Sequence, residues 1–370
     1  MTDLKAELRR RIITPSQFVA DGSAFVDVHL PRSAGKASFS FIGAGVTQSK
    51  DAPTNLVEAH GFCVGGAGLG PGMINNSHLH YTAEVFVCQT SQWRMIIGAD
   101  ASQSIAIGPG DIFSVPTWVF RSFENVGTED GFLFTFLGGD DPGGILWAPH
   151  VLERARETGY VLDEEERVAH VDDLPAGART LRPVSPEVAS QVEHFTDAEI
   201  EARVVRFHRR GWQQEALLSS MVLGHGAKVA PVIGVGFNQH RRPNSAITYP
   251  HGFSVNWLSL DEGASLGLHR LSVPAVVLSM SAHIEVQLGA GESTHMEVPP
   301  GSVVSLPAGE WRDIRNLGSQ PAEVVLAVHG DGRSSAQWSP EVEEVARRAG
   351  FRLDAGGCIA PLALVERNFG

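Results

Sequence analysis

The sequence predicts an all-β protein with a few helices, arranged as two tandem barrels. Three observations carry that expectation. Residues 42–160 align with 233–351 at a constant offset of 191, without a gap. Short Val-, Ile- and Phe-rich runs bounded by Gly or Pro recur along the chain, the pattern of many short strands in a closed barrel or sandwich. Gly accounts for 40 of 370 residues, above a usual share of about 7%.

The repeat is specific. IGAGVTQ (42–48) lies over IGVGFNQ (233–239), HGFCV (60–64) over HGFSV (251–255), and WAPHVLERARETG (147–159) over WSPEVEEVARRAG (338–350), with 31 identities in 119 pairs. A period this long means two domains rather than a solenoid. Each copy reads as strands such as Glu84–Val87, Ile112–Pro116, 131–137 and 322–328, followed by one helix. That helix has Pro149 or Pro340 in its first turn and Gly159 or Gly350 just past its end, the expected asymmetry. Its apolar face (Val151, Leu152, Ala155) should pack on a barrel. The expected boundaries are 1–163 for the N-terminal barrel with its lead-in, 164–212 for a partly helical linker, and 213–370 for the C-terminal barrel. The lead-in helix LKAELRRRI is too short to make a helix-turn-helix domain.

Charge and composition exclude several classes. With 29 Lys+Arg against 42 Asp+Glu the net charge is −13, which argues against nucleic acid as the main partner. No apolar run reaches the length of a membrane helix, and the first residues lack the apolar core of a signal peptide. Cys63, Cys88 and Cys358 form no CxxC and no disulfide framework, so the expected location is a reducing cytoplasm. GAGLGPG (66–72) leads into a His-bearing strand, not a helix, so it is no dinucleotide loop.

The chemistry concentrates in Gly72-x5-His78-x-His80-x3-Glu84. On a strand His78 and His80 project to one face, and Glu84 returns to it if the strand stays regular. Two imidazoles and a carboxylate on one face can make a facial metal triad with open coordination positions.

These residues resemble the two sequence motifs of the cupin superfamily, and the duplication resembles a bicupin. Copy one supplies Gly72, His78, His80 and Glu84 of the first motif, with Ser91 where a final Gly belongs. It supplies Gly110, Pro116 and Asn125 of the second, with Trp118 for a Gly and Arg121 for a His. Copy two keeps Gly263 and His269 but has Leu271 and Ala275 in place of His and Glu. Its second motif keeps Gly301, Pro307, Gly309 and Asn316, with Arg312 for His. The resemblance covers about two thirds of the chain and implies double-stranded β-helix (jelly-roll) barrels, the first carrying a metal site and the second a degenerate one.

Other residues admit two readings. Arg cannot ligate a metal, so Arg121 either grips a substrate carboxylate or phenolate, as a catalytic group, or pairs an internal carboxylate, as its counterpart Arg312 suggests. His60 and His251 occupy one shared position and read as packing or backbone hydrogen-bonding residues. His269 reads as a residual His. Phe86, Cys88, Phe113, Trp118 and Phe123 are candidates to line the pocket, against a reading as barrel core.

The resemblance then implies one divalent metal ion, Fe(II) before Mn, Ni, Zn or Cu, and a small-molecule substrate. The first expectation is a non-haem Fe(II) dioxygenase acting on a small aromatic or carboxylated molecule. The alternatives are a metal-dependent lyase, decarboxylase or isomerase, or a non-enzymatic binding bicupin. Neither nucleic acid nor membrane is expected as a partner, and homo-oligomers are the family's habit.

Overall fold

The structure, a computed structural model, describes residues 3–192, 194–222 and 224–366. Strands dominate and the helices are short. The chain divides into two compact units, Phe18–His208 and Met1–Gln17 with Arg209–Gly370.

The first unit contains a seven-stranded sheet, in the order Val204–Val205, Ile112–Val115, Glu84–Thr90, Gly131–Gly138, Phe62–Leu69, Ala37–Ile42, Thr54–Leu56. Its five-stranded sheet runs Ile145–Trp147, Ile74–His80, Arg121–Asn125, Trp93–Ile97, Gln103–Ile107. Side chains of both sheets meet in one buried cluster, with Phe86, Cys88 and Phe113 from the first against Trp93, Met95 and Phe123 from the second. The second unit repeats the plan. A six-stranded sheet runs Ile12–Ile13, Val303–Leu306, Ala275–Leu278, Ala322–His329, Phe253–Leu260, Ala227–Ile233. A five-stranded one runs Thr294–Val298, Ile284–Leu288, Arg312–Asn316, His269–Leu271, Ala336–Trp338. Two β-rich sheets per repeat, strand over strand at the offset of the sequence repeat, make this the all-β tandem-barrel fold expected.

The unit boundaries differ from the expected ones at both junctions. Residues 1–17, expected with the N-terminal barrel, pack in the second unit. Ile12 and Ile13 pair there with Val304 and Val303, Leu8 is buried in its core, and Arg11 Nη1 donates to Ser305 Oγ at 2.8 Å. Much of 164–208, expected as linker, packs in the first unit. Val204 and Val205 pair with Phe113 and Ile112, and Ile200 enters its core from the helix Asp197–Glu201, whose start Thr196 and Glu199 close as a capping box. Each short edge strand therefore precedes one barrel in sequence and completes the other. Its apolar pair would otherwise be exposed, and burying an Ile or Val side chain contributes about 1.5–3 kcal/mol.

Repeated polar devices confirm the duplication. Trp147 and Trp338 donate to Gln48 and Gln239 at 3.2 and 3.1 Å. His60 and His251 each hold a carbonyl two residues back at 2.7 Å, and their backbone N–H groups donate to Asp140 and Asp331, a structural role in both barrels. The helices Pro149–Glu157 and Pro340–Arg348 start on Pro, and Gly159 and Gly350 follow them at positive φ.

One turn carries strain in copy one only. Gly309 has φ +75°, and its N–H donates to the Leu271 carbonyl. Trp118 takes the same place with φ +59° and donates to the His80 carbonyl at 3.2 Å. The turn needs a left-handed residue, which a side chain adopts at a cost of roughly 1–3 kcal/mol. Ser91, the other departure from a motif glycine, also keeps a positive φ of 68°.

Candidate metal centre

His78 and His80 end the strand Ile74–His80, and both are buried at 2% exposure. The strand stops there. Tyr81–Ala83 turn the chain, and Glu84 opens the strand Glu84–Thr90 in the other sheet. Glu84 therefore does not share the His face by strand alternation, as the spacing alone suggested. It meets the imidazoles from the facing sheet, and the ligand atoms of all three residues lie within 4.8 Å of one another. His80 Nε2 is 3.6 Å from Glu84 Oε2.

The electrostatics favour metal donors. Burial, then Arg121, depresses the His78 pKa to about 3, and burial and His78 hold His80 well below the usual imidazole value. Both rings are neutral at neutral pH, so their lone pairs are available without loss of a proton. His78 Nδ1 lies 2.7 Å from the Asn76 carbonyl, which fixes the proton there and leaves Nε2 as the donor atom. His80 makes only a weak backbone hydrogen bond, with Gly144, which is the smallest influence on its ring. Burial raises the Glu84 carboxyl to about 7 against the pull of Arg121. A buried pair of neutral imidazoles beside a carboxyl that resists ionisation is a donor set that a divalent cation satisfies, so the residues present fit a metal.

A polar support surrounds His78. Lys36, fully buried, donates to Asp27 and to the Asn75 carboxamide, whose Nδ2 lies 3.2 Å from His78 Nδ1. Asp27 also accepts from the Asn76 backbone and side chain at 3.0 and 3.2 Å. Lys36 and Asp27 fall in the lead-in, outside the aligned repeat, and sequence reasoning missed them. At the repeat offset their counterparts are Ala227 and Leu218, and Asn75 corresponds to Leu266.

The triad opens into a cavity of about 80 Å³, lined also by Phe25, Phe39, Val64, Gly65, Asn75, Phe123, Thr135, Leu137 and Ile145. A water needs roughly 10–15 Å³ on this scale, so several waters or a small organic molecule fit. Gly65 lets the neighbouring strand pass close by, since a Cβ there would stand 2.8 Å from the Phe39 carbonyl oxygen. In copy two Asn256, Trp257 and Leu258 replace Gly65, Gly66 and Ala67. That contrast was the available signal for the cavity wall.

Of the pocket candidates, only Phe123 lines the cavity. Phe86, Cys88 and Phe113 are corrected to barrel core, each at most 1% exposed, and burial raises the Cys88 thiol so that it is an inert apolar group. Trp118 is 50% exposed and packs against Tyr81, with ring centroids 5.4 Å apart, outside the cavity. Arg121 is also absent from the cavity lining. Its Nη1 stands 3.4 Å from Glu84 Oε2, Nη2 donates to the Pro116 carbonyl at 2.7 Å and Nε to that of Val119 at 3.1 Å. It pairs an internal carboxylate, and its assignment as a substrate-gripping catalytic residue is corrected to a positioning one.

No family model matches the chain, and no curated protein matches it. Solved structures do. A Trp-to-Tyr variant of oxalate decarboxylase from Bacillus subtilis is 14% identical, with a TM-score of 0.52, over 89% of this chain and 79% of that chain. An Arg-to-Ala variant of the same Bacillus subtilis enzyme is 14% identical with a TM-score of 0.53 over the same shares. An oxalate decarboxylase structure described as showing the substrate binding mode and a reaction specificity switch is 15% identical, with a TM-score of 0.53 over 89% and 79%. At this identity the likeness is one of fold.

Proposed function

We propose that the N-terminal barrel holds one divalent cation on His78, His80 and Glu84 and serves a lyase reaction of the decarboxylase type on a small carboxylate. The observation that carries this reading is the convergence of three buried donors on a cavity that no described Lys or Arg side chain lines. The likeness to oxalate decarboxylases supports this alternative above the dioxygenase first expected.

When bound, a divalent cation supplies here the positive charge and Lewis acidity that a carboxylate oxygen requires. The protein does the rest. Asn76 fixes the His78 tautomer. Arg121 orients Glu84 and offsets part of its charge. Asn75 and Thr135 offer hydrogen-bonding groups at the cavity wall, while Phe123, Leu137 and Ile145 exclude bulk water. The cavity size favours a molecule of a few heavy atoms over a large aromatic.

The test is CO2 release from oxalate and a panel of small carboxylates, with an oxygen electrode in the same vessel, after reconstitution with Mn, Fe(II), Ni or Zn. CO2 release without net O2 consumption, lost in folded His80→Ala, is the expected result. Turnover that consumes O2 in proportion to product supports the oxygenase, a reading favoured by the open positions a three-ligand set leaves. Ligand affinity unchanged by His80→Ala, with no turnover, supports a binding protein.

A further inference from the structure

The C-terminal barrel carries a buried cation that makes no ion pair among the described residues, Glu310 attracting it only from farther off. Arg312 opens the strand Arg312–Asn316 and pairs in register with His269, as Arg121 pairs with His78. It is fully buried. In the N-terminal barrel all three nitrogens of Arg121 find acceptors, one of them Glu84. In the C-terminal barrel only Nη1 does, reaching the Leu306 carbonyl at 3.3 Å, while Nε and Nη2 are buried with no partner. Ala275 stands where Glu84 stands in the first copy, so the acid that neutralises Arg121 has been deleted and the guanidinium kept.

An unpaired buried charge is costly by several kcal/mol, and the usual escape is loss of the charge. Arg312 does not take that escape. Burial lowers its pKa to about 10 against the pull of Glu310, so it remains a cation at neutral pH. The neighbouring His269 is held neutral by burial, its pKa depressed to about 3, and its Nδ1 is committed to the Gly267 carbonyl at 2.7 Å. The site therefore asks for one negative charge, not two. Its walls are apolar: Phe237 stacks on His269 at 4.8 Å, Trp338 lies at 5.3 Å, and Leu271 replaces the second His. Planar guanidinium donors match a carboxylate better than a spherical ion.

We propose that the C-terminal barrel binds a small monocarboxylate on the free Nε and Nη2 of Arg312, beside Ala275, the counterpart of Glu84. The occupant is of formate or acetate size and does for Arg312 what Glu84 does for Arg121. The proposal shares no residue with the metal centre and stands or falls apart from it.

The experiment is thermal unfolding of the full chain, titrated with formate and with acetate at constant ionic strength, with chloride as comparator. A ligand bound only by the folded state raises Tm whatever route it takes into the barrel. Wild type is expected to show a saturable rise of about 2–4 °C relative to Arg312→Met. Ala275→Glu, which restores the internal acid, should also lose the response. No rise in wild type, or an equal rise in both variants, overturns the proposal. An equal rise with chloride overturns the carboxylate assignment. If Arg312→Met does not fold, Ala275→Glu decides alone, since a full response in it refutes the site.

Discussion

The two barrels share a backbone and differ at the same few positions in their interiors. The first has His78, His80, Glu84 and Arg121, and the second has His269, Leu271, Ala275 and Arg312. The difference extends outward. The buried Asp27, Lys36 and Asn75 that support His78 correspond to Leu218, Ala227 and Leu266, and Gly65 and Gly66 correspond to Asn256 and Trp257. Triad and support go together, present in one copy and replaced by apolar residues in the other at all but the His78 position. A purely structural role for the polar cluster would not predict that, because the second barrel folds on the same plan without it. What stays common is scaffold: the Gln–Trp pair, the His–Asp turn and the helix caps.

The largest expected effect is on metal content. Wild type reconstituted and desalted should hold about one ion per chain, and His78→Ala or Glu84→Ala should lose nearly all of it. His269→Ala should lose none, and elemental analysis reads all three. Leu271→His together with Ala275→Glu transfers the missing donors and should raise the content toward about two ions per chain. No gain there would mean that the buried support, and not only the ligands, makes the site.

Removing that support should be felt in stability. Lys36→Met leaves the Asp27 carboxylate buried without its cation, at a cost of about 3–5 kcal/mol in urea unfolding. The pair Asp27→Leu with Lys36→Ala copies the second barrel and should recover most of the loss. An additive result would show that the two charges act independently.

Metal affinity should also depend on pH through Glu84 alone. Its carboxyl is raised to about 7 in the metal-free protein, while both imidazoles are already neutral. Below that pH a metal must displace one proton, so affinity should fall by up to about tenfold per pH unit, with no proton release above it. The sign for folding is the opposite. The unfolded carboxyl ionises first, near 4.5, so metal-free stability should decline as pH rises from there to about 7. Calorimetry in buffers of different ionisation enthalpy counts the protons.

The smallest effect concerns the strained turn. Trp118→Gly gives copy one the residue copy two has at Gly309, and should stabilise by about 1 kcal/mol, less whatever the Tyr81 contact contributes. A loss of stability would show that the aromatic contact outweighs the backbone strain.

Much of this was legible in the sequence, and the failures have physical causes. The repeat and the His-x-His spacing point to the barrels and to the candidate donors because strand register keeps homologous positions aligned. The route by which Glu84 arrives was misread, since spacing cannot show that a strand ends at His80 and the chain crosses between sheets. Phe86, Cys88 and Phe113 were ambiguous because both faces of those strands are buried, which erases the alternation that would assign a side. Lys36 was passed over because an isolated Lys is almost always at the surface. The exchanged edge strands escaped for a subtler reason. Arg11-Ile12-Ile13 matches Arg203-Val204-Val205 at a spacing of 192, one residue out of step with the main repeat.

That exchange sets an order of events during synthesis. The segment around Ile12 emerges before either barrel, yet its pairing partner near Val304 is translated almost 300 residues later. The N-terminal barrel, completed by Val204–Val205, can close long before then. Deleting or disrupting the segment around Ile12 should therefore injure the C-terminal barrel and spare the one encoded next to the alteration, the reverse of what proximity in the gene suggests.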